Sequence, residues 1–595
     1  MRVLIVFLAF IACTFSLKAQ DINLAKNYLN RGEYAKAESV FKRLYQQRNT
    51  NFTFLEGLVE SLQEQEKYDE AQTFLKDFQN RVRNYPMVYI DLGRNYEFQG
   101  DSEKAQDFYE QAIAIVKDNP GYTLQTGRKF QKYNLLDQAA ETYEAALELK
   151  SNANYILALA RVYGEQRKLD KMFSTFLDLI LENPRYRYAV NQSFSEYISS
   201  EPDHEANVIL RRLLLKRLQE DPDILYNEFL SWLFIMENDF EKAFVQEKAI
   251  YHRSEDKSLS GFMQLAEIAE EKDDFDIAEE ILNYAVENAH TTAQEIRVYN
   301  ALLQVRVKQA SPKNYVKIKN EFENILEEYG RSSSTLEIQL QYAKFLAFKL
   351  SDSEEAKNLL RNLLKQQISN FEEARVKMQL ADILTAEKNF NQALIFYSQI
   401  KSLVKNTPLA QEALFKVAQT SYYKGDFDWA QTQLKVLKQS TSDLTANDAM
   451  ALNLLIEDNF SMDSTQTALK LFAKADLMIL QEKDKEALEI LEEILTQHEG
   501  EKIEDEALLR SAKLYEKAGN YDKAEQAYLK IIRDFGDDIL ADDAYYYLAE
   551  LYRTKLNNPE EAMEHYKKII FDHADSIFFV DARKKFRQLR GDNIQ

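Results

Sequence analysis

Between Pro86 and Ala112 the apolar positions fall into two stripes. Tyr89, Leu92 and Tyr96 recur at three- and four-residue spacing, Gly100-Asp101 interrupts them, and Ala105, Tyr109 and Ala112 resume the spacing. That period belongs to one face of a helix and not to the alternation of a strand, so the segment predicts two helices joined by a tight turn. Gly93 and Ala105 fall where the two helices would cross, and axes about 8–10 Å apart leave room there only for small side chains. The unit repeats. Ala37, Ala71, Ala105 and Ala139 stand 34 residues apart, and so do Pro86 and Pro120, each opening a helix at a position where a missing N–H costs nothing. A hairpin of two helices cannot bury its apolar face alone, so a run of them at this period predicts an all-α fold, an α-solenoid of stacked antiparallel helix pairs.

The pattern continues along the chain. Gly127, Phe130, Ala139, Tyr143 and Ala146 repeat the unit, and Ala25, Tyr28, Ala37 and Phe41 precede it. Around Ala71, Val59 and Leu62 replace the small residue and the tyrosine. A further unit keeps Ala160, Tyr163 and Pro184 but has Met172 where alanine is expected. Later second helices are signalled at Ala243, Ala278, Ala356, Ala393, Ala430, Ala487, Ala524 and Ala562. The spacing fails from about Tyr186 to Asp239 and again from about Ser440 to Asp463. With the Ala310-Ser311-Pro312 linker, these departures suggest boundaries. The expected organisation is a leader over 1–19, an N-terminal array over 20–185, a central helical region over 186–310, a second array over 311–438, a degenerate helical connector over 439–480 and a C-terminal array over 481–595.

These residues resemble the tetratricopeptide repeat: an aromatic residue or Leu, Leu-Gly, Tyr, then Ala, Phe or Tyr, Ala and a trailing Pro. The resemblance implies a protein-binding scaffold whose first helices line a concave groove, with the residue after the small Gly or Ala pointing into it. Those residues are Lys26, Arg94, Arg128 and Arg161, interrupted by Glu60. Two readings stand for them: a basic ladder offering bidentate contacts to an acidic peptide, or solvated cations balancing neighbouring acids. Tyr422, Tyr423, Tyr546 and Tyr547 are candidate aromatic anchors for a partner, with inter-repeat packing as the alternative. The segments around Tyr528–Phe535, Ala541–Ala544, Tyr566–Ile570 and Asp581–Arg583 are similar to repeats of Gram-negative envelope proteins, including the tetratricopeptide lipoprotein of the barrel-assembly machinery and periplasmic coordinators. Gly536 and Ala574 stand where those repeats usually carry proline.

The first nineteen residues change the picture of where such a scaffold would work. Arg2, the apolar run Val3–Ala12 and the small residue Ala19 read as a secretory signal peptide, too short to span a bilayer. The chain is therefore expected to be exported, to the periplasm or the periplasmic face of the outer membrane. Cys13, the only cysteine, is either removed with the leader or carries a lipid anchor in a Phe10-Ile11-Ala12-Cys13 lipobox. No later apolar stretch approaches a transmembrane length. Net charge is −22, and loss of Arg2 and Lys18 makes it −24, which excludes nucleic acid as a natural partner because phosphates must be neutralised by Lys and Arg.

No cofactor, metal or catalytic group is expected. His204, His252, His290, His498, His565 and His573 lack ligand spacing on any one helix face, and Gly121–Lys129 superficially evokes a phosphate loop without its spacing or its hydroxyl. The functional expectation is a non-enzymatic protein-binding scaffold of the bacterial cell envelope, assisting its assembly or a secretion complex. The alternative is a carbohydrate or cell-wall binding module that stacks sugars on concave tyrosines.

Overall fold

The computed structural model describes residues 21–437, 443–460 and 466–592. The leader, Cys13 and Ser440–Ser442 lie outside the described residues. Everything secondary in the described residues is helix, and most neighbouring helices pair as the two members of a hairpin. The fold is an all-α solenoid.

One hairpin shows why the sequence folds this way. Pro86 opens the Pro86–Phe98 helix at its first turn, and the Asp101 carboxylate caps the partner helix Ser102–Asp118 by accepting from the Lys104 N–H at 3.2 Å. Gly100 joins them at φ +81°, the left-handed conformation in which a Cβ is strained. Glu66 and Asn134, 34 residues to either side of Gly100, take the same conformation at φ 60° and 59°. Leu92, Ala105, Tyr109 and Ala112 are then buried between the two helices. A Cβ at Gly93 would fall 2.4 Å from Tyr109 Cε1, and one at Gly127 2.2 Å from Tyr143 Cζ. Where Val59 replaces the small residue, Gly57 makes the close approach instead: its Cβ would meet the Phe41 ring of the preceding second helix at 2.3 Å. The segment evoking a phosphate loop is a 3-10 turn, Pro120–Tyr122, running into the Thr123–Lys132 helix.

Packing divides the described residues into two compact units, one ending at Lys257 and the other beginning at Ser258. Within the first, the first helices Phe52–Gln63, Pro86–Phe98, Thr123–Lys132 and Ala153–Glu165 touch in sequence and form a layer. The aperiodic stretch after Tyr186 is helical, with helices Arg187–Ser195, Glu205–Glu220 and Ile224–Met236.

Within the second unit, first helices Leu336–Phe348, Asn370–Ala386, Pro408–Lys424, Thr467–Leu480 and Ile503–Lys517 likewise touch in sequence. The Thr467–Leu480 helix pairs with Asp484–Gln497, so the stretch that the sequence closes at 480 shares its last helix with the following hairpin. An extra helix, Asp443–Phe460, interrupts the alternation. It packs chiefly on the second helix Phe427–Leu437, burying Ala449 and Ile456, yet Pro408–Lys424 and Thr467–Leu480 remain direct neighbours.

Candidate functional site

The first-helix layer of the first unit carries a buried charge network spanning three repeats. Lys129 on Thr123–Lys132 is 6% exposed, and its Nζ lies 2.9 Å from both Glu56 Oε1 and Asp91 Oδ1. The Tyr133 hydroxyl donates to Asp91 Oδ1 at 2.9 Å, and Lys132 stands 3.6 Å from Glu56 and 3.5 Å from Glu60. Burial works against the Lys129 ammonium, but the charges of Asp91 and Glu56 outweigh it and hold its pKa up. Burial pushes the Asp91 carboxyl up, against the pull of Lys129, and raises the Tyr133 phenol as well. The Glu56 carboxyl ends below its ordinary value because Lys129 and Lys132 overcome its burial.

The expected ladder sits beside this network. Arg94 is half-buried, its guanidinium 4.0 Å from the Tyr133 ring centroid and 4.8 Å from that of Phe98. Lys26, Arg128 and Arg161 are exposed. Among the described residues no carboxylate lies within 4.0 Å of any of the four. Sequence reasoning passed over Lys129, one residue beyond Arg128, together with Asp91, Glu56 and Tyr133. The available signal was Asp91 standing inside the apolar run Met87-Val88-Tyr89-Ile90-Asp91-Leu92.

The second unit holds a cavity of about 590 Å³ between the Asp443–Phe460 helix and the first helices Pro408–Lys424, Thr467–Leu480 and Ile503–Lys517. Tyr422 and Tyr423 both border it, but differently. Tyr422 is 1% exposed and its hydroxyl donates to Asp476 at 3.0 Å, so this ring is core and cannot be an open anchor. Tyr423 is half-buried against the space. Asp476 also receives Arg510 Nε at 3.1 Å, and burial raises its pKa against the Arg510 charge. Glu506 accepts from Asn459 Nδ2 at 3.1 Å through one oxygen, while its other oxygen is shielded from solvent without a donor. Its carboxyl is pushed up to about 9, by burial first and then by neighbouring Asp505. Tyr547 supports Lys513, whose ammonium is 4.1 Å from the ring centroid. Tyr546 turns away to stack on Phe578 at 4.2 Å and donates to Asp581 at 2.6 Å.

Residues 50–118 and 509–576 each match the tetratricopeptide-repeat family. The matches support a tetratricopeptide repeat protein. The first covers the hairpins that hold Glu56, Asp91 and Arg94; the second covers those that hold Arg510, Lys513 and Tyr547. Tetratricopeptide repeats suggest a protein–protein interaction scaffold, and the fold is typically non-catalytic. Similar solved structures include Naa15/Naa10 bound to HypK-THB, at 12% identity over 96% of this chain and 94% of that one with a TM-score of 0.30. The APC/C hetero-tetramer Cut9-Hcn1 is 14% identical over 90% and 96%, with a TM-score of 0.25. A tetratricopeptide repeat protein from Parabacteroides merdae ATCC 43184 is 14% identical over 46% and 91%, with a TM-score of 0.26. At such scores none of the three bears on geometry or function. No curated protein matches the chain. Among the described residues no helix is long and apolar enough to cross a membrane, and no group of three or more His, Cys, Asp and Glu is placed to hold a metal ion.

Proposed function

We propose that this chain is an exported, non-enzymatic scaffold of the bacterial cell envelope that holds partner proteins on the concave, first-helix side of its repeats and assists outer-membrane assembly or secretion. The observation that carries the reading is the set of cations on the first-helix layer of the first unit. Lys26, Arg94, Arg128 and Arg161 have no carboxylate within 4.0 Å among the described residues, whereas neighbouring Lys129 is fully engaged. Cations without a carboxylate partner on the three successive first helices that carry Arg94, Arg128 and Arg161 suit an acidic peptide, which would satisfy several of them at once. Export and the envelope setting rest on the leader-like residues 1–19 and on the resemblance of the C-terminal repeats to envelope proteins. The carbohydrate alternative leaned on open tyrosines, and burial of Tyr422 removes one of them.

Affinity capture of the full chain from the native envelope under crosslinking tests this. Recovery of envelope proteins, reduced by Arg94→Glu with Arg128→Glu, supports it; capture that recovers none contradicts it.

A further inference from the structure

The Asp443–Phe460 helix turns one stretch of the first-helix layer into a partly open cleft. Ala449 and Ile456 fix the helix, while Asp448, Ala451, Leu452 and Leu455, spaced as one helical stripe, face the layer across the cavity of about 590 Å³. That volume lies in the range of ligand-binding clefts, about 300–1,000 Å³. The opposite wall is aromatic and aliphatic, with Phe415, Tyr423, Phe472 and Leu509. Its polar groups are not equally satisfied. Arg510 is paired to Asp476, and Lys513 stands over Tyr547 with its pKa lowered by burial and no carboxylate within 4.0 Å among the described residues. Glu506 is different: one carboxyl oxygen has no donor, Asp505 beside it is 6% exposed, and no cation lies within 4.0 Å of either among the described residues. The covering helix adds Asp448 at the rim, with Glu457 and Asp458 further along, and has neither Lys nor Arg. Two buried carboxyl groups side by side without a cation are costly to the fold, and a ligand that supplies a cation relieves that cost.

We propose that this pocket docks a basic, apolar segment of a partner protein, with a lysine or arginine reaching Glu506 and Asp448 and flanking leucine- or phenylalanine-class side chains filling the aromatic wall. The inference rests on the scaffold reading and names a second partner chemistry, opposite in charge to the acidic peptide expected at Arg94 and Arg128.

A library of random twelve-residue peptides displayed on phage and selected on the full chain tests it. The expected result is enrichment of peptides that place Lys or Arg among large apolar residues. Their affinity falls at least tenfold with Asp448→Lys at the exposed rim or with Glu506→Gln, and is lost with Ala451→Trp, which fills the pocket from a side chain outside the core. Unchanged melting of the Asp448→Lys chain, followed by circular dichroism, shows that the loss is not unfolding. Selected peptides that lack basic residues, or that ignore all three variants, overturn the pocket. If they instead depend on Arg94 and Arg128, the pocket falls and the scaffold reading stands.

Discussion

Replacing Lys129 by methionine isolates the buried network, because methionine keeps most of the side-chain volume and removes only the charge. Asp91, 2% exposed, then loses its cation and retains only the Tyr133 hydroxyl, while Glu56 keeps Lys132 at 3.6 Å. Removing one partner of a buried pair costs about 3–5 kcal/mol, because the remaining charge has neither water nor counterion. The cost depends on pH with a definite sign. Burial already raises the Asp91 pKa in the folded protein, and loss of Lys129 raises it further. The folded state then holds a proton that the unfolded chain releases above about pH 4, so stability falls by up to about 1.4 kcal/mol per pH unit as pH rises through the window between the two pKa values. The variant should therefore differ little from the parent near pH 4 and show its full deficit near pH 7–8. Trp232 reports on the first unit once Trp429, the other tryptophan, is replaced by Phe, and urea unfolding followed by its emission reads the deficit. Adding Asp91→Leu to Lys129→Met should return stability to within about 1 kcal/mol of the parent. A single-variant deficit below about 1 kcal/mol at pH 7.5, or one that does not shrink on acidification, refutes a buried, charged Lys129.

Two further outcomes follow from the hairpin geometry and a third from the leader-like residues 1–19. Gly93→Leu should cost at least about 1–3 kcal/mol in the first unit, because even its Cβ would lie 2.4 Å from Tyr109; an unchanged melting curve would put the hairpin register in error. At the left-handed hairpin turn, Gly100→Ala should destabilise by about 1 kcal/mol and Glu66→Gly should stabilise by up to the same amount, read by urea midpoints; equal shifts in one direction would contradict the turn assignment. Mass spectrometry of the mature amino terminus should find a chain starting at Gln20, and an acylated Cys13 would assign the lipobox instead.

The 34-residue alanine period and the glycine at the helix crossing made the hairpins legible, because a close approach admits few residue types and those types recur wherever the crossing recurs. Gly57 escaped because it serves the same need against the preceding second helix, two positions from where the repeat register places the small residue. The charge network was hidden for a related reason. Lys129 and Glu56 lie 73 residues apart, and Lys129 differs from Arg128 by one step of about 100° around the helix, which separates the buried flank from the exposed one. The Asp443–Phe460 helix has an unremarkable apolar period, and only its packing distinguishes it from a first helix of the repeat. Tyr422 and Tyr423 are adjacent in sequence, but one hydroxyl finds Asp476 in the core and the other ring borders the cavity.

Partners are proposed to bind on the first-helix layer. A photo-reactive benzoylphenylalanine placed at Arg128 on that layer, or at exposed Glu141 on the paired second helix, tests it in the intact cell envelope. A discrete crosslinked protein is expected from position 128 and none from position 141; equal crosslinking from both positions, or crosslinking from 141 alone, would place partner binding elsewhere.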